Sequence, residues 1–444
     1  MAAINLKRNI MVSGTFRIVN MVIMFLTSLL STRYLGVELK GQYSYLTTLV
    51  AFGWMTLDIG ISKTYPYLLR KDEACLPRLF TWTCILFVGE LLLLGSLGAF
   101  FLPRVSSLLS YHFSFTGWWV FISLIIVSQL MNQLRMLYLG MDRILDNSMV
   151  ELLYQLLVVL AVGLSFIFLK KADRLLVVLS VLLFSAVTVL VPYVGKIARN
   201  FNLKSLAPAF LWKSYKMGIR VFLSTMFITL LIRADIVILK RLMDFSSVGI
   251  YSLSAHIVDM LQIASNLVGS LLLVKLSDTE DEELRWVLMK RIFMLFFVFL
   301  SAANLGFALV GKPLIRLLYG AAFEGAYYST LWLIPASFGL SFGSLFNTYL
   351  WSKGFPVVST VVPFIVLLLN ISLNFLLIPS MGIAGSALAS SISYCLWFVI
   401  ILIYEQYQSH GRLLKYLVPA REDWSEVWKM GLASLASIFR RGGR

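Results

Sequence analysis

Charge is scarce in this chain of 444 residues: Asp, Glu, Lys and Arg together make up 14%, against 59% for the hydrophobic types. A water-soluble domain of this size could not hide so much apolar surface in one core, so that class is excluded. Cysteine is rarer still. Cys75, Cys84 and Cys395 form neither a metal-ligand spacing nor an even-numbered framework, which excludes a disulfide scaffold and a thiolate metal centre and leaves three packing residues. Strand-like alternation of polar and apolar residues is missing too. Helices, and not a barrel, must therefore satisfy the backbone in lipid.

What is present is a succession of apolar stretches of about 20 residues, each long enough to cross a hydrocarbon layer of ~30 Å. They fall at roughly 10–32, 42–62, 79–102, 117–139, 148–169, 175–195, 216–239, 247–274, 289–310, 327–351, 358–378 and 383–404, which predicts an all-α polytopic membrane protein with about 12 spans. The first stretch carries Arg17 and Asn20 and no small-residue cleavage site, so it reads as a mature helix and not a signal peptide. The formal charge of +16 points to the membrane and not to nucleic acid, because its placement matters more than its sum. With the N-terminus inside, cytoplasmic stretches hold about 24 of the Lys and Arg residues and outer loops about 10, which predicts both termini in the cytoplasm. The cluster Lys170, Lys171 and Arg174 runs against that bias.

One phrase occurs twice. "GQYSYL" at 41–46 and "GIYSLS" at 249–254 are 208 positions apart, and the same offset sets Ser44 on Ser252, Thr48 on His256 and Asp58 on Asn266. The repetition predicts two related six-helix bundles, residues 1–200 and 216–408, joined by a basic cytoplasmic linker at 201–215 and followed by an interfacial segment at 409–444. An even number of helices per copy relates the copies by an axis along the membrane normal, an arrangement that usually encloses a cleft. In each copy the Gly (Gly41, Gly249) is expected in a tight outer turn and the Tyr (Tyr43, Tyr251) at the membrane interface.

The stretches "RYLGVELKGQYSYLTTLVAFGWMTLDIGIS" (33–62), "IRADIVILKRLMDFSSVGIYSLS" (232–254), "KPLIRLLYGAAFEGAYYSTLWL" (312–333) and "NISLNFLLIPSMGIAGSALASSISY" (370–394) resemble the Wzx-type polysaccharide-unit flippases. These form a branch of the multidrug/oligosaccharidyl-lipid/polysaccharide exporter superfamily. The phrase from Leu377 to Ala387 is among the more specific signals. The resemblance implies two six-helix bundles facing each other in a V. It also implies transport of undecaprenyl-diphosphate-linked oligosaccharide units, for O-antigen or another surface polysaccharide, from the inner to the outer leaflet of the bacterial cytoplasmic membrane. The implied partner is the lipid-linked glycan; membrane lipids are expected around the spans, and the tail from about 421 is read either as a helix on the inner membrane surface or as a docking helix for a polysaccharide polymerase or chain-length regulator. No cofactor is expected beyond a proton or sodium gradient. The rivals are a drug or metabolite antiporter of the same architecture and a membrane glycan polymerase or glycosyltransferase. The last would need a large outer loop bearing catalytic groups, whereas the longest here, about 103–116, has only Arg104 and His112.

Moving a sugar head and a diphosphate through hydrocarbon calls for a polar, cationic path, and a charge at a helix centre costs at least ~2.5–3.5 kcal/mol unless it meets a partner or water. Ser13, Arg17, Asn20, Thr27 and Ser31 share one stripe of the first helix. Arg17 is placed to grip a diphosphate with paired donors, or to snorkel to the inner headgroups. Arg233 and Asp235 lie about 200° apart round the seventh helix and cannot easily pair. Arg233 is thus a second anion contact or half of a structural ion pair, and Asp235 packs against a helix of its own bundle. Gln129, Asn132 and Arg135 step by three along the fourth helix; Arg135 is a third cation for the path, or the partner of Asp142 or Glu151. Asn370 and Asn374 could meet sugar hydroxyls. His256 and Asp259, one turn apart, are candidates for ion coupling, or for hydrogen-bonded glue between helices. Asp58 and Glu90 join them as coupling candidates, Asp58 near Lys63 and Glu90 mid-span, either protonated or paired across helices. The tail places Trp424, Trp428, Leu432, Leu435 and Phe439 on one face, as expected of a helix lying on the inner membrane surface.

Overall fold

The computed structural model of the protein describes residues 2–424 other than 110, 170–172, 278, 280, 354, 355 and 422. A further set of helical side chains, including those of residues 2–15 and of Arg17, Arg220, Asn266 and Ser270, lies outside the described residues, as does the tail from 425 with its expected interfacial helix.

Long helices dominate, and no strand occurs among the described residues. In chain order they are α1 (Ala2–Asp58), α2 (Ile61–Lys71), α3 (Leu76–Leu109), α4 (Phe115–Gly140), α5 (Ile144–Phe168), α6 (Arg174–Ile197), α7 (Pro208–Leu242), α8 (Phe245–Ser277), α9 (Glu282–Tyr319), α10 (Gly325–Trp332), α11 (Ile334–Ser352), α12 (Val358–Met381), α13 (Ile383–Gln408) and α14 (Leu413–Leu417). Each of the twelve predicted spans falls on these helices. Nine helices among the described residues are long and apolar enough to cross a membrane, or ten if the pair Ala321–Trp332 and Ile334–Ser352, bent by 56°, is one span. Two helices make up the difference from twelve: Val19–Asp58 runs for 40 residues and counts once, although Gly36 interrupts it with φ 75° and ψ −178°, and α8 is not among the helices counted over the described residues. A positive φ of this kind is readily adopted only by glycine. Large apolar side chains such as Leu92, Leu160, Phe168, Val191, Leu309 and Leu376 remain exposed, as lipid-facing positions should in a protein whose surrounding medium is hydrocarbon.

Close packing divides the chain into two compact units, Met1–Ser252 with Leu318–Phe323, and Leu253–Leu317 with Glu324–Arg444. In the first, α1 packs most extensively on α5, α2 on α4, and α4 on α6. Its core holds Tyr65, Phe80, Leu134, Tyr138, Val189 and Tyr193. The indole of Trp118 donates to the Gly98 carbonyl at 2.9 Å and ties α4 to α3. Helix α6 opens on Asp173, whose carboxylate accepts from the amides of Leu175 and Leu176, satisfying donors that a helix start leaves over. Helix α7 begins at Pro208, inside the stretch expected as linker, because proline at a first helical position forfeits no hydrogen bond. In the second unit α13 packs on both α11 and α12, around Trp286, Phe346, Tyr349 and Trp397.

The repeated phrase has a different part from the one its letters suggested. The turn sits at Gly36, whereas Gly41 and Gly249 lie inside α1 and α8, where they let two backbones touch. A Cβ on Gly41 would stand 1.8 Å from the Phe245 carbonyl oxygen, and one on Gly249 would stand 2.0 Å from that of Val37. A second such pair lies at the other end of this arm of α1. There a Cβ on Gly60 (φ 76°) would come 2.7 Å from the Gly218 oxygen, and one on Gly218 would come 2.4 Å from the Gly60 oxygen. Tyr251, expected at the membrane interface, is fully buried, because its hydroxyl is bound to Asp235.

Candidate functional site

A buried polar constellation of the first unit is assembled where α1 ends and α2 begins. The chain leaves α1 at Asp58, passes Ile59 and Gly60 with positive φ and re-enters helix at Ile61, a path that turns Ser62 back onto Asp58. Ser62 donates to Asp58 Oδ2 at 2.8 Å, and Gln133 of α4 donates to Oδ1 at 3.4 Å. Asn132, the next residue back on α4, donates to Ser62 Oγ at 3.0 Å. Asp58, Ser62 and Gln133 are all buried. Lys63 reaches Asp58 through its field and is itself influenced by Arg135. One turn before Gln133, Gln129 donates from Nε2 to Glu90 Oε1 of α3 at 2.7 Å. Two carboxylates are thus each held by an amide of α4, four residues apart on one helix face.

Arg135 pairs with Glu151 of α5, Nε to Oε1 at 2.9 Å, with 49% of its side chain still exposed. Asp142, the other partner considered for it, faces Arg70 at 3.5 Å. Glu151 Oε1 also accepts from Asn147 at 3.4 Å, and Asn147 Oδ1 accepts from Tyr193 at 2.7 Å. The chain Arg135–Glu151–Asn147–Tyr193 therefore links α4, α5 and α6 beside the Asp58 cluster. Asn20 is half-buried on α1, while the side chain of Arg17 lies outside the described residues.

The remaining candidates have partners of their own. Asp235 is buried and accepts from the Tyr251 hydroxyl. Arg233, His256 and Asp259 are half-buried and each engages a neighbour. In the second unit Asn370 and Asn374 are both 0% exposed, turned from solvent into the α12–α13 pair. Asn374 Nδ2 donates to Asn370 Oδ1 at 3.1 Å, Ser386 donates to Asn374 Oδ1 at 2.8 Å, and Asn370 donates to Ser393 Oγ at 3.3 Å. In this conformation they fasten helices together and present no amide to a sugar.

A further cluster of the second unit gave no sign in the sequence. Lys353, just past α11, pairs with Glu282 at 2.6 Å and with the buried Glu405. Tyr349 donates to Glu405 Oε1, and Trp286 to the Tyr349 hydroxyl, both at 2.9 Å. Burial pulls the Lys353 ammonium down, but its hydrogen bonds to Glu282 and Glu405 outweigh that, so it sits above its ordinary range. These partners are 71 and 52 residues from Lys353, beyond the reach of any helical spacing. Gln133, by contrast, was within reach, since it lies one turn from Gln129 and beside Asn132.

Comparison with known proteins adds three results. The family model described as polysaccharide biosynthesis protein matches residues 6–274. No curated protein matches the chain. Among solved structures, a multidrug resistance MATE family transporter of the MOP superfamily, in an inward-facing conformation, aligns with a TM-score of 0.69. It is 12% identical and covers 90% of this chain and 99% of its own. The lipid II flippase MurJ aligns with a TM-score of 0.65 at 13% identity, over 95% of this chain and 93% of its own. A MOP superfamily transporter from Pyrococcus furiosus aligns with a TM-score of 0.62 at 13% identity, over 92% and 96%. At these identities the likeness is one of fold.

Proposed function

The chain belongs to the polysaccharide biosynthesis protein family, and we propose that it is a flippase of the bacterial cytoplasmic membrane. It carries undecaprenyl-diphosphate-linked oligosaccharide units from the inner to the outer leaflet by alternating access, with both termini in the cytoplasm and a polymerase and chain-length regulator acting downstream. The observation that carries this reading is the family match across 6–274 in a chain with the fold of MOP transporters. The buried polar constellation supports it. A helix bundle that only had to fold would not place Asp58, Glu90, Lys63 and Arg135 in or beside its spans, given their cost in hydrocarbon.

In this reading Arg17, Arg135 and Arg233 meet the diphosphate at successive stages, and Asn20 and Asn132 meet the sugars. A guanidinium is suited to this task by its paired donors and permanent charge. Asp58 and Glu90, with His256 and Asp259, couple the cycle to an ion gradient. The test is depletion of the protein in its own cell. Lipid-linked units should accumulate on the inner leaflet and surface polysaccharide should fall, and Arg17→Ala with Arg233→Ala should give the same result while the protein is still present in the membrane. Normal polysaccharide in the double variant would remove the anion-binding assignment. A second reading, a drug or metabolite antiporter, has the MATE-like fold in its favour; lowered resistance to cationic drugs with unchanged surface polysaccharide would select it.

A further inference from the structure

We infer that Glu90 and Gln129 together form a proton site, in which a proton on Glu90 Oε2 is donated to Gln129 Oε1 and closes a two-hydrogen-bond ring between α3 and α4. Gln129 is 2% exposed, and its Nε2 donates to Glu90 Oε1 at 2.7 Å. That bond leaves two oxygens over, Glu90 Oε2 and Gln129 Oε1. Both are enclosed, and neither has a donor among the described residues. An enclosed acceptor without a donor costs about 1–3 kcal/mol, more when it carries charge, and here two of them sit on side chains already joined by one hydrogen bond. A single proton removes both deficits. It turns Oε2 from an acceptor into a donor and cancels the carboxylate charge, and the acceptor it then needs is the vacant oxygen of the amide that already binds the same carboxyl group.

A metal cation fits less well. The pair offers it two oxygens, whereas hard cations gather about six, and no group of three His, Cys, Asp or Glu close enough to hold a metal occurs among the described residues. Among the described residues, the field of Asp58 of α1 reaches Glu90, and the field of Glu90 in turn reaches Tyr215 of α7. Lys63 of α2 acts in turn on Asp58, and Arg135 of α4 acts on Lys63. Proton binding stands on this geometry alone. Its use in coupling rests on the transport reading above: a change in the α3–α4 contact that admits water would let the proton leave.

The experiment is infrared difference spectroscopy of the full-length protein in lipid bilayers without substrate, between about pH 5 and about pH 9. A carbonyl band of a protonated carboxyl group is expected, absent from Glu90→Gln, which keeps the shape of the neutral acid. In Gln129→Leu the carboxyl remains but loses its acceptor, and the band should shift in frequency. A spectrum in which Glu90→Gln removes no such band, or a band unmoved by Gln129→Leu, overturns the site. Spectral changes that follow sodium concentration and ignore pH would assign it to a metal cation and overturn the proton. Intact proton binding in a protein that moves no lipid-linked glycan leaves the site standing and removes only the transport reading.

Discussion

Replacing Gly41 by Ala adds one methyl group, and its cost can be worked from the helix contact it would enter. The new Cβ would stand 1.8 Å from the Phe245 carbonyl oxygen and 2.9 Å from the Gly249 nitrogen, where 3.4 Å begins ordinary contact. From 1.8 to 3.4 Å is a retreat of 1.6 Å. Both obstacles are backbone atoms, so no rotamer change can relieve the clash and α1 must move away from α8 as a body. Overpacking of this kind costs typically 1–3 kcal/mol, and a rigid obstacle puts Gly41→Ala at about 3 kcal/mol. Gly249→Ala, whose Cβ would stand 2.0 Å from the Val37 oxygen, should cost nearly as much. Once one methyl has parted the helices the other finds room, so the double variant should cost about 4 kcal/mol, short of the sum of the single costs by a coupling of about 2 kcal/mol. Gly89→Ala and Gly95→Ala, where a Cβ meets nothing within 4 Å, are the controls; alanine there should stabilise the helix by up to about 1 kcal/mol. Equilibrium unfolding in detergent micelles measures all five variants. Strict additivity of Gly41→Ala and Gly249→Ala, or costs no greater than in the controls, would refute the argument.

Three further outcomes follow from the site. Arg135→Ala should change stability by only about 0–1 kcal/mol, because its ion pair with Glu151 is half-exposed, yet it should lower surface polysaccharide if the guanidinium meets the diphosphate; a large loss of stability would make the pair structural. Tyr251→Phe removes the hydroxyl donated to the buried Asp235 and should cost about 1.5–3 kcal/mol in the same unfolding assay. Lys290 holds the Asp423 carboxyl below its usual range. The contribution of that pair is therefore complete above the unfolded value of about 3.9 and is lost as pH falls through the lower folded value. A spin label at Val418 should be restrained at neutral pH and loosen only in strong acid, and loosening that starts near neutrality would contradict the pairing.

The helices were legible in the sequence because hydrocarbon forces every backbone group into internal hydrogen bonds, and apolar runs of sufficient length mark them. The fourth helix shows what else spacing reveals: Gln129, Asn132 and Arg135 are all engaged with other helices. What spacing could not supply was the partner. Glu90 to Gln129 spans 39 residues and Gln133 to Asp58 spans 75. No periodicity encodes such pairings, since they depend on which faces of separate helices meet. The repeated phrase misled for a related reason, because glycine serves both turns and close helix contacts, and the letters alone do not separate the two.

Helices α12 and α13 are joined through a single residue, Gly382 (φ 59°), and Asn370, Asn374, Ser386 and Ser393 link them with no exposure at all. During synthesis such a pair would gain by entering the bilayer as one preformed hairpin. Released singly, α12 would carry two amides into lipid with only each other to answer them and without the hydroxyls of Ser386 and Ser393, so insertion favours delaying α12 until its successor has left the ribosome.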